Sequence, residues 1–178
     1  MYRTVRFILA LALLSLTCAA LANAQSFVGK QGAKFVYQGN NITFYGSTFF
    51  PSPIGGTSAW HTTTFPSYID QMINLAQQAG QNILRPTDYW DSSTSGQTMT
   101  DTVLWSNMDH LMSAARQHGM YVLMDLSAYK WLLVSQGQDW TVASNWYSFL
   151  DFVSNRYNNE TAIAFWSIVG EPSVPTTT

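Results

Sequence analysis

The sequence is poor in charge and almost free of cysteine. Of its 178 residues, 10% are charged, against roughly 25% in an average soluble domain. The one cysteine, Cys18, falls in an N-terminal apolar run. Beyond that run there is no thiol, so the fold is not a disulfide scaffold and must be held by packing. Basic residues form no cluster, which argues against nucleic acid as a partner. The three histidines and lone cysteine have no metal-ligand spacing, and no metal or other cofactor is expected. A phosphate loop is also missing. The segment "GSTFFPSPIGG" is not G-x-G-x-x-G, and no Walker sequence occurs, so a nucleotide-binding open sheet lacks its usual motif. Glutamate is rare, with only Glu160 and Glu171.

Apolar residues are abundant instead. They make up 47% of the chain and aromatics 15%, enough for the core of one domain and unlike a disordered composition. The start has a different layout. Arginines in "MYRTVR" precede "FILALALLSLTCAALA", and the small residues "ANA" follow. That is the pattern of a cleaved secretory signal over residues 1–24. The run is shorter than the roughly 20 residues a bilayer span needs. Residues 25–178 are therefore expected as a secreted domain, with no membrane attachment after cleavage.

Past Gln25 the pattern alternates. "KFVYQGNNITFYG" reads as a hairpin turning at Gly39–Asn41, with a second strand from Ile42 to Phe50. Helical spacing follows at Tyr68, Ile69, Met72, Ile73, Leu75 and Ala76, with Gly80 as a stop. "NILRPTDYW" is a strand. Leu104, Met108, Leu111, Met112 and Ala115 mark a helix ending at Gly119. "MYVLMDLS" reads as a strand buried on both faces and "AIAFWSIVGEP" as another buried strand, with a third helix between them in "WTVASNWYSFLDFVSNRYN". Strand–helix alternation implies an α/β fold with a parallel sheet. Both an open doubly wound sheet and a (β/α)8 barrel fit.

In such sheets chemistry gathers at the C-terminal strand ends. Those ends carry Trp60 and His61, then Arg85, Tyr89 and Trp90, then Asp125 and Trp131, then Glu171. Aromatic and acidic groups together suit a sugar, whose ring face stacks on indole while its hydroxyls seek polar partners. Trp90 and Trp131 are candidates for stacking, as is Trp60. Glu171 is carried to the sheet mouth by an apolar strand, where a carboxyl can be tuned as a proton donor. Asp125 reads as a loop-shaping hydrogen-bonding group or a second carboxylate. Arg85 within a strand needs a carboxylate partner. His110 and His118 lie on the second helix, away from the strand ends.

These segments, above all "IAFWSIVGEP", resemble the first half of a family 5 glycoside hydrolase, over Phe27 to Pro172. The family comprises cellulases, mannanases and related retaining endo-β-glycanases with a (β/α)8 fold. The resemblance implies that Glu171 is the general acid/base of the family's Asn-Glu-Pro. It implies that Arg85 neighbours the nucleophile, and that Trp60, Tyr89, Trp90 and Trp131 fall in subsite loops. Gly170 stands where the family has an asparagine that holds the sugar 2-hydroxyl. A (β/α)8 barrel takes roughly 250 residues. The expectation is therefore about four βα units, the first half of a TIM barrel preceded by a β-hairpin, forming a partial catalytic domain over 25–178. The nucleophile then lies outside the chain. The expected substrate is a β-linked polysaccharide such as glucan or mannan, and the alternative is a non-catalytic carbohydrate-binding remnant.

Overall fold

In the computed structural model the described residues are 27–49, 59–87 and 99–168. The chain divides into two compact units, Met1–Ile42 and Thr43–Thr178.

The first unit holds an antiparallel sheet of β1 (Gly29–Gln31), β2 (Lys34–Tyr37) and β3 (Asn40–Ile42). The β2–β3 turn is Gln38–Gly39, with φ of 49° and 78°. Two consecutive positive φ values give the strands a twist-matched two-residue turn. This corrects the expected turn at Gly39–Asn41. Asn40 and Asn41 lie in β3, paired with Tyr37 and Val36. The expected strand from Ile42 to Phe50 is also divided. β3 ends at Ile42, and Phe50 lies outside the described residues.

The second unit runs β4 (Gly46–Phe49), α1 (Phe65–Gln78), β5 (Ile83–Pro86), α2 (Thr102–Gln117), β6 (Tyr121–Asp125), α3 (Ala128–Ser135), α4 (Tyr147–Tyr157) and β7 (Ile163–Ser167). Its four strands are parallel and lie in sequence order, β4-β5-β6-β7. Each strand therefore sits beside its predecessor after a crossover, as consecutive βα units of a barrel do. Leu84, Val122 and Met124 face a buried layer with Ile69 and Ile73 of α1 and Leu104, Met108 and Leu111 of α2. Alternation along the strands turns Arg85, Leu123 and Asp125 to the opposite face. Gly46 allows β4 to approach β5. A Cβ there would lie 1.9 Å from the Ile83 carbonyl oxygen.

Three expectations change. Tyr68 and Leu75, counted on the buried face of α1, are exposed. The third helix starts at Tyr147, not near Trp140. Asp139 accounts for this. Its Oδ1 accepts from Thr141 N at 2.9 Å and Thr141 Oγ1 at 2.7 Å, a side-chain turn that competes with helix. Among the described residues β7 pairs with β6 alone, and Trp166 is exposed, so this strand is less buried than expected.

Candidate active site

The parallel strands bring their C-terminal ends to one edge of the sheet. There Arg85 of β5 meets Asp125 of β6. Arg85 Nε donates to Asp125 Oδ2 at 2.7 Å, and Nη2 donates to the same oxygen. The other carboxylate oxygen accepts from Ser127 N at 2.9 Å and Ser127 Oγ at 2.6 Å. Asp125 is buried, whereas Arg85 is partly exposed. The carboxylate is thus engaged at both oxygens, and the guanidinium is fixed on one side while still reaching solvent. Arg85 also lines a cavity of about 220 Å³ with Thr48, Ile83 and Leu123. Leu126 N donates to Ser167 O at 2.7 Å, which ties the end of β7 to the same edge.

A second cluster braces the loops. Thr87 donates its N–H and Oγ1–H to Phe49 O at 3.1 and 2.9 Å. Trp60 Nε1 donates to Thr87 O at 2.9 Å. Asn107 of α2 donates to the carbonyls of Trp60 and Thr62 at 2.8 and 2.9 Å. His61 Nδ1 lies 2.7 Å from Asp101 Oδ2. Asp101 Oδ1 accepts from Leu104 N at 2.9 Å and so caps α2. The imidazole is buried, and its Nε2 has no hydrogen-bond partner among the described residues.

The sequence candidates fall in different places. Arg85 and Asp125 come together. Trp60 does not offer a ring face for stacking. It is fully buried, edge-on to Phe65 at 4.8 Å and Phe49 at 6.0 Å. A 3-10 turn, Ala59–His61, carries it into the core rather than onto the rim. Trp131 lies in α3, a helix placed where the sequence suggested a loop. Tyr89, Trp90, Gly170 and Glu171 lie outside the described residues. The bracing by Ser127, Thr87 and the His61–Asp101 pair was not foreseen. Only Asp101 left a trace, as a capping residue directly before an apolar helical pattern. Among the described residues, no three His, Cys, Asp or Glu side chains converge as metal ligands do.

The sequence model of the cellulase family, glycosyl hydrolase family 5, matches residues 31–177. The chain belongs to glycosyl hydrolase family 5. Solved mannanase and cellulase structures resemble it in fold at low identity. An endo-1,4-β-mannanase from Rhizomucor miehei matches with a TM-score of 0.58 and 18% identity, over 83% of this chain and 49% of that one. An endo-1,4-β-mannanase from Eisenia fetida gives 0.56 and 15%, over 83% and 45%. An endocellulase from Pyrococcus horikoshii, solved with cellotetraose, gives 0.54 and 13%, over 87% and 46%. The family 5 chain thus spans about half the length of these structures, and they support its TIM-barrel class. No curated protein sequence matches it significantly.

Proposed function

We propose that this family 5 chain is the first half of the catalytic domain of a secreted retaining glycoside hydrolase acting on a β-linked glucan or mannan. The observation that carries this reading is the Arg85–Asp125–Ser127 cluster at the C-terminal strand ends, within a family match that extends past Glu171. In this reading Glu171 protonates the leaving glycosidic oxygen, then deprotonates the water that releases the sugar. Retention requires a second carboxyl about 5 Å from the first, and residues outside this chain supply it. Asp125 is not that group in our reading, because Arg85 and Ser127 occupy its oxygens. Its role is to fix the guanidinium, whose exposed side then orients the nucleophile. Tyr89, Trp90 and Trp131 are assigned to sugar stacking.

The test is hydrolysis of mannan and β-glucan by a preparation containing this segment, with Glu171→Gln beside it. Loss of the general acid should lower kcat by about 10²–10⁴-fold with little change in KM. An unchanged rate would remove Glu171 from the mechanism. The second reading, a carbohydrate-binding remnant, is favoured by one residue. Gly170 has no side-chain amide to hold the sugar 2-hydroxyl. Saturable oligosaccharide binding without turnover, even with a complete barrel, would select it.

A further inference from the structure

We propose that Asn159 and Asn41 are acceptors of N-linked glycan, the first in the parallel-sheet unit and the second in the hairpin unit. This assignment rests on the proposed secretion of the chain and not on its sugar chemistry. The sequence holds two N-x-T tripeptides in which x is not proline, Asn41-Ile42-Thr43 and Asn159-Glu160-Thr161. In an exported protein that tripeptide is the acceptor signal for glycan transfer. So short a motif also arises by chance, and the placement of its asparagine decides. Asn159 lies in the turn between the end of α4 at Tyr157 and the start of β7 at Ile163, and it is exposed. Asn41 is an exposed residue of β3.

Hydrogen bonding separates these two amides from several others. Asn82 Oδ1 accepts from Tyr45 N at 2.8 Å, and its Nδ2 donates to Thr43 O at 2.8 Å. Asn107 and Asn145 donate to backbone carbonyls. Among the described residues, no hydrogen bond holds the side-chain amide of Asn41 or Asn159. A glycan on either breaks no bond of the fold. Beside Asn159 the turn is already fixed, because Glu160 Oε1 accepts from Ala162 N at 2.9 Å and Oε2 pairs with Arg116. This turn precedes β7, so it stands at the N-terminal strand edge. Arg85 and Asp125 lie at the opposite edge, and a glycan on Asn159 leaves that mouth clear. Thr161 is buried, so transfer at this site precedes the packing of β7. A glycan also supplies hydrophilic surface to a chain in which 10% of residues are charged.

In the transfer, the asparagine Nδ2 bonds to the anomeric carbon of an oligosaccharide carried on a lipid diphosphate. The bond from that carbon to the diphosphate oxygen breaks, the lipid diphosphate leaves with its electron pair, and an amide proton passes to solvent. The experiment expresses the full chain in a eukaryotic host, behind its own N-terminus and, in parallel, behind the host's export leader. Intact mass is read on released and membrane-enclosed chain. Peptide N-glycosidase in heavy-oxygen water then converts each modified asparagine to a labelled aspartate. Labels are expected at Asn159 and Asn41, and each assignment stands or falls on its own label. Asn159→Gln and Thr161→Ala should each remove the glycan on Asn159 alone, whereas Thr161→Ser should keep it. Asn41→Gln should remove the other. Bare polypeptide mass behind the host leader overturns the proposal. Glycan that appears only behind the host leader supports both acceptors and counts against secretion by the chain's own N-terminus.

Discussion

At the level of single residues, the decisive feature is the use of both Asp125 oxygens by Arg85 and Ser127. Replacing Asp125 with Ala leaves the guanidinium without its carboxylate. Because that guanidinium reaches solvent, we expect a loss of about 1–3 kcal/mol in chemical denaturation, with Ser127→Ala costing about 1 kcal/mol. The sequence showed that Arg85 needed a carboxylate, since a cation inside a strand is otherwise costly. It could not show that the partner was Asp125, because the β5–β6 register is set by how the α2 crossover packs back on the sheet. Trp60 was misread for a related reason. An indole just past a strand looks the same in sequence whether its turn folds inward or outward. Tyr157 supplies a pH prediction. Burial, then the neighbouring Asp109 carboxylate, raises its phenol well above the ordinary 10.0, while Arg156 opposes the shift. Its hydroxyl donates to Asp109 Oδ1 at 2.8 Å. The unfolded chain releases this proton near pH 10 and the folded chain does not. The contribution to stability is therefore complete below about pH 10 and falls by about 1.4 kcal/mol per pH unit above it. Tyr157→Phe should flatten that alkaline loss in melting temperatures measured across the range.

For whole elements, local chemistry fixes where each begins. Asp101 caps α2 and holds His61, so Asp101→Ala should cost about 1–2 kcal/mol, read from thermal or denaturant unfolding. Asp101→Asn keeps the cap and should recover most of the loss. The β4–β5 approach depends on Gly46, whose replacement by Ala places Cβ against the Ile83 carbonyl. We expect Gly46→Ala to abolish the cooperative unfolding transition. The long helices were legible because their apolar spacing is regular, as at Leu104, Met108 and Leu111. α3 was not, because eight residues of mixed character carry little periodic pattern. The late start of α4 was hidden in the side-chain turn of Asp139, which periodicity does not register.

For the whole molecule, strand order was legible from βα alternation, since right-handed crossovers set each parallel strand beside the last. The exposure of Trp166 on β7 and of Tyr68 and Leu75 on α1 was not legible, because alternation and helical spacing do not say which apolar residues stay at the surface. The central claim is that the C-terminal end of this sheet receives a β-linked sugar chain. Titration with mannotetraose and cellotetraose, followed through the Arg85 Nε–H resonance, tests it most directly. The account predicts saturable perturbation of that resonance by at least one of the two, retained in Glu171→Gln. No perturbation by either, or binding that leaves Arg85 unchanged, would contradict it.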